Sequence, residues 1–169
     1  TVVIDALTEY YAGYNANIHR GIHTLAEEAT AAFEATRETA RQFIGASSTE
    51  EIIFTRGTTE GINLVASSWG RANLQPGDEI IISTLEHHSN IVPWHVACER
   101  KGAILKVIPV TPEGELNLAD FEKLLSEKTR IVATSHISNT LGTINPVAEI
   151  IKMAHSRNIP VFIDGAQGL

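Results

Sequence analysis

The chain has 169 residues, of which 43% are hydrophobic and 20% are charged, a composition typical of a folded globular domain and unlike that of disordered or fibrous proteins. Its formal net charge of −7, with no cluster of lysines and arginines, argues against a nucleic-acid-binding surface. The single cysteine excludes an intrachain disulfide, and no apolar run reaches the roughly 18 residues of a membrane-spanning helix, so we expect a cytoplasmic protein that contacts no membrane.

The first predicted elements are helical. Apolar residues recur at helical spacing over residues 1–12, and a longer amphipathic pattern over residues 24–44 predicts a second helix. The polar segment between them contains His19 and Arg20, and it is either a surface loop or a contact for an anion or a substrate carboxylate. We therefore expect an N-terminal helical segment over residues 1–45. The chain begins abruptly, with no signal segment, so either the protein is intracellular or its natural start lies upstream.

Residues 52–55, Ile-Ile-Phe-Thr, predict a β-strand that breaks at a Gly/Thr-rich turn over residues 56–61 and continues as a helix. Such a turn directs backbone N–H groups and threonine hydroxyls to the helix N-terminus, where unpaired donors and the helix dipole favour an anion such as phosphate. The alternative is that Thr58 or Thr59 only caps the helix, with Glu60 favourable in its first turn. The local pattern leaves both interpretations open.

The rest of the chain alternates between strand and helix patterns. Further strands are predicted at residues 79–83, 105–110, 131–135 and 160–163, with helices at residues 90–101, 118–128 and 146–157. Strands joined by helices pair in parallel, because each crossover helix must lie on a face of the sheet. We therefore predict a three-layer α/β fold for residues 46–169, with a mostly parallel sheet and helices on both of its faces.

Four polar clusters follow predicted strands, at the edge where ligands of parallel sheets bind: residues 56–59, 86–90, 136–139 and 164–167. No serine or cysteine has a nucleophile-elbow context, and no Gly-x-Gly-x-x-Gly or Walker pattern is present, which argues against hydrolase, dinucleotide and nucleoside-triphosphate sites. A zinc site is also disfavoured, because the available ligands follow no familiar spacing: His87, His88, His95 and Cys98.

These clusters resemble motifs of the cysteine desulfurases of the SufS type, within the class V aminotransferase family of pyridoxal 5'-phosphate (PLP) enzymes of fold type I. The resemblance extends along essentially the whole chain, and four motifs in the family's order are more specific than any one of them. The motifs are Arg-Gly-Thr-Thr-Glu-Gly-Ile-Asn at 56–63, Glu-His-His-Ser-Asn-Ile-Val-Pro-Trp at 86–94, His-Ile-Ser-Asn at 136–139 and Asp-Gly-Ala-Gln at 164–167, and His-Arg-Gly-Ile-His at 19–23 also matches.

The resemblance implies a role for several of these residues. Thr58 and Thr59 would bind the PLP phosphate, and Asp164 would pair with the pyridine nitrogen, which keeps the ring protonated. His87 would stack on the ring and assist proton transfer. The alternative for Asp164 is a turn or cap residue before Gly165.

Five further residues complete the set of candidates, and one of them, Glu60, also belongs to the turn at residues 56–61. Asn139 and Gln167 would hydrogen-bond the cofactor on the side of its phenolic oxygen, and the alternative for both is a buried amide with a backbone partner. His19, Arg20 and Glu60 resemble positions at the substrate entrance, some of which serve the partner subunit's site in a dimer.

The sequence departs from the family at the two groups that react with cofactor and substrate. The lysine that forms a Schiff base with PLP and the cysteine that takes up sulfur as a persulfide both lie downstream of the Asp-Gly-Ala-Gln motif in the family, so we expect both to be absent from this chain. Its single cysteine, Cys98, falls in a predicted helix as a buried small residue. None of the lysines occupies the family position: Lys101, Lys106, Lys123, Lys128 and Lys152. The chain would then be the front part of an incomplete cofactor domain.

The resemblance implies an activity for the longer protein. It would convert L-cysteine to L-alanine, transfer the sulfur to an enzyme cysteine for iron–sulfur cluster assembly, form a homodimer and pass the sulfur to an acceptor protein. One alternative is a related PLP lyase or transaminase, such as a selenocysteine lyase. Another is a module without catalytic activity that binds a phosphate ligand or a partner chain.

Overall fold

The computed structural model describes residues 1–168, and the chain divides after Phe54 into two units. The first unit contains the helices α1 (Val2–Glu9) and α2 (Thr24–Ile44). A π-helical turn, Tyr10–Tyr14, follows α1. The predicted first helix is thus confirmed, but its last turn is wider than an α-helical turn.

The second helix, α2, has the predicted range and is fixed at both ends. At its start the His23 side chain accepts a hydrogen bond from the Ala26 N–H, at 3.4 Å. At its end Gly45 takes the left-handed conformation, with φ at 70°, and its N–H donates to the last turn. A glycine adopts this conformation without the steric cost of a Cβ atom.

The strand predicted over residues 52–55 is wrong. None of the strands that the structure describes includes these residues. Ile52 has extended backbone, as the β-branched run indicates, but its carbonyl accepts a hydrogen bond from Arg37 Nη1 of α2. Phe54 also contacts α2, with its ring centroid 5.5 Å from that of Phe33. Side-chain contacts with a helix therefore hold this segment, and no strand pairs with it.

The second unit alternates helices and strands, as predicted. Its helices are α3 (Thr58–Asn73), α4 (Val92–Lys101), α5 (Leu118–Leu124) and α6 (Val147–His155), and its strands are β1 (Glu79–Ser83), β2 (Ile104–Ile108), β3 (Thr129–Ser135) and β4 (Val161–Asp164). All neighbouring strands are parallel. Helix α5 ends at Leu124, before the predicted residue 128, because the chain turns there and the Ser126 hydroxyl donates to Glu79 Oε2 of β1 at 2.6 Å.

Helices cover both faces of the sheet, which confirms the three-layer prediction. All five residues of β1 are buried, and successive side chains of a strand point to opposite faces. Ile80 belongs to a core with Trp94 of α4. Ile81 belongs to the core on the other face, with Phe121 of α5 and Ile150 of α6. No helix within residues 1–168 combines the length and the apolar character needed to cross a bilayer.

The direction in which the chain builds the sheet reverses at β1. The strand order is β2-β1-β3-β4, so the chain moves from β1 to β2 in one direction and then crosses back to β3 and β4. Right-handed crossovers place the connecting helices on opposite faces when the direction reverses. Such a reversal leaves a crevice beyond the carboxyl ends of the two strands, and ligands of open α/β sheets bind there. The residues that follow β1 and β3 therefore flank the expected site.

Candidate functional site

A cleft of about 210 Å³ opens at the carboxyl edge of the sheet. It is smaller than the roughly 300–1,000 Å³ of drug-sized sites, so it suits a compact ligand. All four polar clusters contribute to its wall. The structure thus brings together six of the candidate residues: Thr58, Thr59, His87, Asn139, Asp164 and Gln167.

The N-terminus of α3 forms one side of the cleft. Gly57 occupies the position before the helix, and no side chain caps the helix there. The hydroxyls of Thr58 and Thr59 make no hydrogen bond within the part of the chain that the structure describes. The interpretation of these threonines as helix caps is therefore wrong. Uncapped backbone N–H groups and the positive end of the helix dipole make this side suitable for an anion.

Glu60 interacts with the turn itself and does not line the cleft. Its Oε2 accepts a hydrogen bond from the Arg56 backbone N–H at 2.6 Å, and its Oε1 accepts one from Arg56 Nη2 at 3.1 Å. These bonds hold the pKa of the Glu60 carboxyl group below its ordinary value. The bond from the Arg56 side chain has the larger effect and the bond from its backbone the smaller. The pair closes the turn before α3 and leaves Thr58 and Thr59 free to face the cleft.

His87 lies in the loop that follows β1, and its side chain is exposed. Its Nδ1 accepts a hydrogen bond from the Ser89 backbone N–H at 3.2 Å and lies 2.8 Å from the Ser89 hydroxyl. A backbone N–H can only donate, so Nδ1 is the acceptor and the proton of the neutral ring is on Nε2. The loop therefore fixes the tautomer of the neutral ring, and its Nε2–H group is free to donate a hydrogen bond to a ligand.

Asp164 ends β4 and is only 6% exposed. Its Oδ1 accepts a hydrogen bond from the Ala166 N–H at 3.0 Å, so the interpretation as a turn residue is correct for this oxygen. Oδ2 accepts no hydrogen bond from residues 1–168. A largely buried carboxylate with one unpaired oxygen at the cleft wall is suited to bind a protonated ring nitrogen or another cationic donor.

Asn139 and Gln167 line the cleft from the segments that follow β3 and β4. Both side chains belong to exposed residues, so the alternative interpretation of two buried amides is wrong. Each amide offers a donor and an acceptor to a ligand.

His19 and Arg20 belong to the first unit. His19 Nε2 lies 3.1 Å from Glu34 Oε1 of α2, and the His19 backbone takes a positive φ of 58°. The Thr30 hydroxyl accepts a hydrogen bond from the His19 N–H at 3.1 Å. Arg20 is exposed. The role of these two residues at a substrate entrance stays a prediction.

Two further polar residues line the cleft without a role predicted from the sequence: Ser89, beside His87, and Ser135, the last residue of β3. The position of Ser135 at a strand end was the available signal. Glu86, which precedes His87, was also given no role of its own. It is 8% exposed, and its carboxylate lies in a hydrogen-bond network that cannot be predicted from hydrophobic periodicity or composition.

None of the five lysines lines the cleft. Lys106, for example, pairs with Glu79 at the opposite edge of the sheet, with Nζ 2.7 Å from Oε2. Cys98 is buried in α4, as expected, and burial raises the pKa of its thiol to about 11. Within residues 1–168, no three histidine, cysteine or acidic side chains come together as a metal site.

Known proteins are similar to this chain in sequence and in fold. The family model named aminotransferase class-V matches residues 1–169. A probable cysteine desulfurase of Halalkalibacterium halodurans is 57% identical over 165 residues, which are 98% of this chain and 41% of the relative. The apo structure of a cysteine desulfurase from Thermococcus onnurineus has a TM-score of 0.90 at 40% identity, over 96% of this chain and 40% of that chain.

A third similar structure is a mutant of a protein called C-DES, described with glycine covalently linked to its PLP cofactor. It has a TM-score of 0.82 at 26% identity, over 99% of this chain and 44% of that chain. The present chain therefore spans about two fifths of the length of the Halalkalibacterium relative and somewhat less than half of each of these two structures.

Proposed function

Because the chain belongs to the class V aminotransferase family, we propose that its cleft binds PLP and that the protein carrying it is a cysteine desulfurase. The observation that carries the proposal is the composition of the cleft wall. It combines an uncapped helix N-terminus for a phosphate, a carboxylate with a free oxygen for a ring nitrogen, and an exposed histidine for the face of a ring. These are the three features of PLP that a protein must recognise.

In this proposal each group of the cleft has one task. The N–H groups of α3 and the hydroxyls of Thr58 and Thr59 bind the phosphate, and Asp164 Oδ2 holds a proton on the pyridine nitrogen. Bound PLP supplies an electron sink for the bonds at the substrate α-carbon. Asn139 and Gln167 hydrogen-bond the phenolic oxygen side of the cofactor.

His87 covers the ring and moves protons through Nε2, since Nδ1 is engaged by Ser89. To give up the Nε2 proton the ring must first be doubly protonated, with Nδ1–H donating to the Ser89 hydroxyl 2.8 Å away. The neutral ring that remains then keeps its proton on Nδ1. His19, Arg20 and Glu60 serve the substrate entrance, some of them that of a partner subunit. Glu60 lies outside the cleft wall of its own chain.

The proposed overall reaction is balanced. L-cysteine gives up its sulfur atom to the thiol of an enzyme cysteine, and L-alanine and an enzyme persulfide are formed. The persulfide passes to an acceptor protein for iron–sulfur cluster assembly. We propose a cytoplasmic homodimer, in which residues 1–45 form the entrance segment and residues 46–169 the front part of the cofactor domain.

The lysine and the reactive cysteine of this reaction come from sequence outside the chain in this proposal. No lysine lines the cleft, and the buried Cys98 thiol has a pKa raised to about 11, which keeps it protonated and unreactive near neutral pH. The same observation favours a second candidate function for the chain alone, namely reversible binding of a phosphate ligand without catalysis.

A binding experiment tests the cofactor proposal. PLP and pyridoxal, which lacks the phosphate, are titrated into the protein and followed by absorbance. We expect Thr58→Val and Thr59→Val each to weaken PLP binding about tenfold, the effect of losing one hydrogen bond to a charged group, and to leave pyridoxal binding unchanged. Thr39→Val, in α2 of the first unit, is the matched control. Equal affinity of the protein for PLP and pyridoxal would refute the phosphate assignment.

Two further measurements separate the candidate functions. After borohydride reduction the mass of the chain should be unchanged, whereas stoichiometric labelling of one lysine within residues 1–169 would refute the claim that the Schiff-base lysine is absent. In the longer protein, release of alanine from L-cysteine is compared with release from selenocysteine. Release from selenocysteine alone would favour a selenocysteine lyase.

A further inference from the structure

Glu86 carries a buried carboxylate in the loop that follows β1, directly before His87. The residue is 8% exposed, and burial of a carboxylate is unfavourable unless hydrogen bonds or an ion pair replace its water. None of the ion pairs within residues 1–168 includes Glu86. Hydrogen bonds from neutral groups must therefore compensate for its burial.

Both oxygens of the carboxylate accept such bonds. Oε1 accepts from the Ser83 hydroxyl of β1. It also accepts from two groups of β3, the Thr134 hydroxyl at 3.2 Å and the Ser135 backbone N–H at 3.1 Å. Oε2 accepts from Asn90 Nδ2 at 2.7 Å. One side chain thus joins the ends of β1 and β3, the two strands on either side of the crevice, to the start of the next helical segment.

These contacts fix both ends of the short segment that contains His87. Glu86 precedes the histidine, and Asn90, which is fully buried, follows it. The Asn90 side chain is itself held in one orientation, because its Oδ1 accepts a hydrogen bond from Trp94 Nε1 at 2.9 Å. Between the two anchors, Ser89 binds the His87 ring through Nδ1. The position of the exposed ring therefore depends on a carboxylate that does not line the cleft.

We propose that Glu86 is a positioning residue, whose carboxylate holds the His87 segment against β3 and so keeps the His87 ring at the cleft. The part of this inference that concerns a ligand rests on the proposed function. The part that concerns the segment itself does not, because it follows from contacts within the protein.

The substitution Glu86→Gln tests the inference with little change in volume. A glutamine side chain replaces one acceptor oxygen with an NH₂ group, which then faces either the Ser135 N–H or Asn90 Nδ2, and both of these donate. Asn90 cannot accommodate the change by rotating its amide, since its NH₂ group would then face Trp94 Nε1–H. In either orientation one anchoring hydrogen bond is lost, either the bond that holds residue 86 to β3 or the bond that holds it to Asn90.

Glu79→Gln is the matched control. Glu79 is also 8% exposed and lies in β1, but at the opposite end of the strand, where Lys106 Nζ and the Ser126 hydroxyl contact its carboxylate. Both variants remove a buried carboxylate from the same region of the fold. A general loss of stability would affect them alike.

The first readout needs no cofactor. We expect Glu86→Gln to raise amide hydrogen exchange at residues 87–91 by about tenfold, as for the loss of one hydrogen bond to a charged group. It should also shift the ¹⁵N resonances of the His87 ring as its contact with Ser89 weakens, while Glu79→Gln leaves both unchanged. Thr134→Val, which removes a single donor, should give a smaller change of the same kind and remains informative if Glu86→Gln does not fold. Unchanged His87 resonances and exchange in Glu86→Gln and Thr134→Val, or equal changes in Glu79→Gln, would overturn the proposal.

The second readout is the dissociation constant for PLP. We expect it to rise about tenfold in Glu86→Gln and to be unchanged in Glu79→Gln. If the unmodified protein does not bind PLP, the proposed function fails, and the exchange and resonance measurements still decide the role of Glu86. If Glu86→Gln raises amide exchange at residues 87–91 but leaves the dissociation constant for PLP unchanged, Glu86 does not affect ligand binding through His87.

Discussion

The indole of Trp94 connects the hydrophobic core to the site, and Trp94→Phe should therefore destabilise the protein strongly. Trp94 is fully buried, its Nε1 donates to Asn90 Oδ1 at 2.9 Å, and its ring centroid lies 5.9 Å from that of Phe162. Phenylalanine keeps an aromatic ring but cannot donate, so the acceptor of the buried Asn90 is left unpaired at a cost of about 1–3 kcal/mol. The smaller ring also leaves a cavity, for which we add about 1–2 kcal/mol.

The expected loss in the free energy of unfolding is thus about 2–5 kcal/mol, the sum of these two effects. Urea unfolding followed by far-UV circular dichroism measures it, with an unchanged m-value as the sign that the unfolded state is not altered. Trp69→Phe is the matched control, because Trp69 is half-buried in α3 and its indole donates no hydrogen bond within residues 1–168. Equal losses in the two variants, or a loss below about 1 kcal/mol in Trp94→Phe, would contradict a stabilising role of the indole N–H.

Two further predictions concern titratable groups. Burial opposes the ionisation of Glu79, but hydrogen bonds from Lys106 and Ser126 outweigh this effect and lower the pKa of its carboxyl group. The ionised carboxylate therefore stabilises the fold at pH values above the ordinary carboxyl pKa. This stabilisation is lost as the pH falls through the lowered pKa. Urea unfolding at a series of pH values should show a shallower acid-side decline in Glu79→Gln than in the unmodified protein, and parallel curves would contradict the assignment. Burial raises the pKa of the Cys98 thiol to about 11, so at pH 8 iodoacetamide should alkylate it about a hundredfold more slowly in the native protein than in urea. Comparable rates by mass spectrometry, or a persulfide recovered on Cys98, would contradict this expectation.

Most of the second unit follows from local sequence patterns. Ile80, Ile81 and Ile82 form an unbroken apolar run, which is typical of a strand buried on both faces, and the helical patterns between the strands require parallel pairing. The order of the strands in the sheet cannot be predicted from these patterns, because hydrophobic periodicity does not indicate on which side of β1 the next strand lies. Family resemblance and the rule for ligand sites in parallel sheets nevertheless predicted the edge at which the site lies.

The prediction for residues 52–55 failed for a related reason. The β-branched residues Ile52 and Ile53 favour an extended backbone, and Ile52 is extended. A strand also needs a pairing partner, however, and pairing depends on residues distant in sequence. Here the Ile52 carbonyl accepts a hydrogen bond from the Arg37 side chain, so the local preference is satisfied without a sheet.

At the site, residue type and position predicted which side chains line the cleft, but not the hydrogen bonds that fix each of them. The motif that contains Glu86 and His87 can be recognised in the sequence, but only the structure shows that Glu86 is buried against β3. For Asp164 the turn interpretation is correct for Oδ1, which closes a turn. Oδ2 is unpaired within residues 1–168, and its pairing with a ring nitrogen stays a prediction. A single sequence position cannot reveal such a division between two atoms.

In the proposed function, the cleft at the carboxyl ends of β1, β3 and β4 binds PLP. A crystal structure of the protein with PLP tests it most directly. We expect the phosphate oxygens within about 3 Å of the Thr58 and Thr59 hydroxyls and the N–H groups of α3, the pyridine nitrogen at Asp164 Oδ2, and the His87 ring on one face of the cofactor. PLP bound elsewhere, or in the cleft with its phosphate away from α3, would contradict the account.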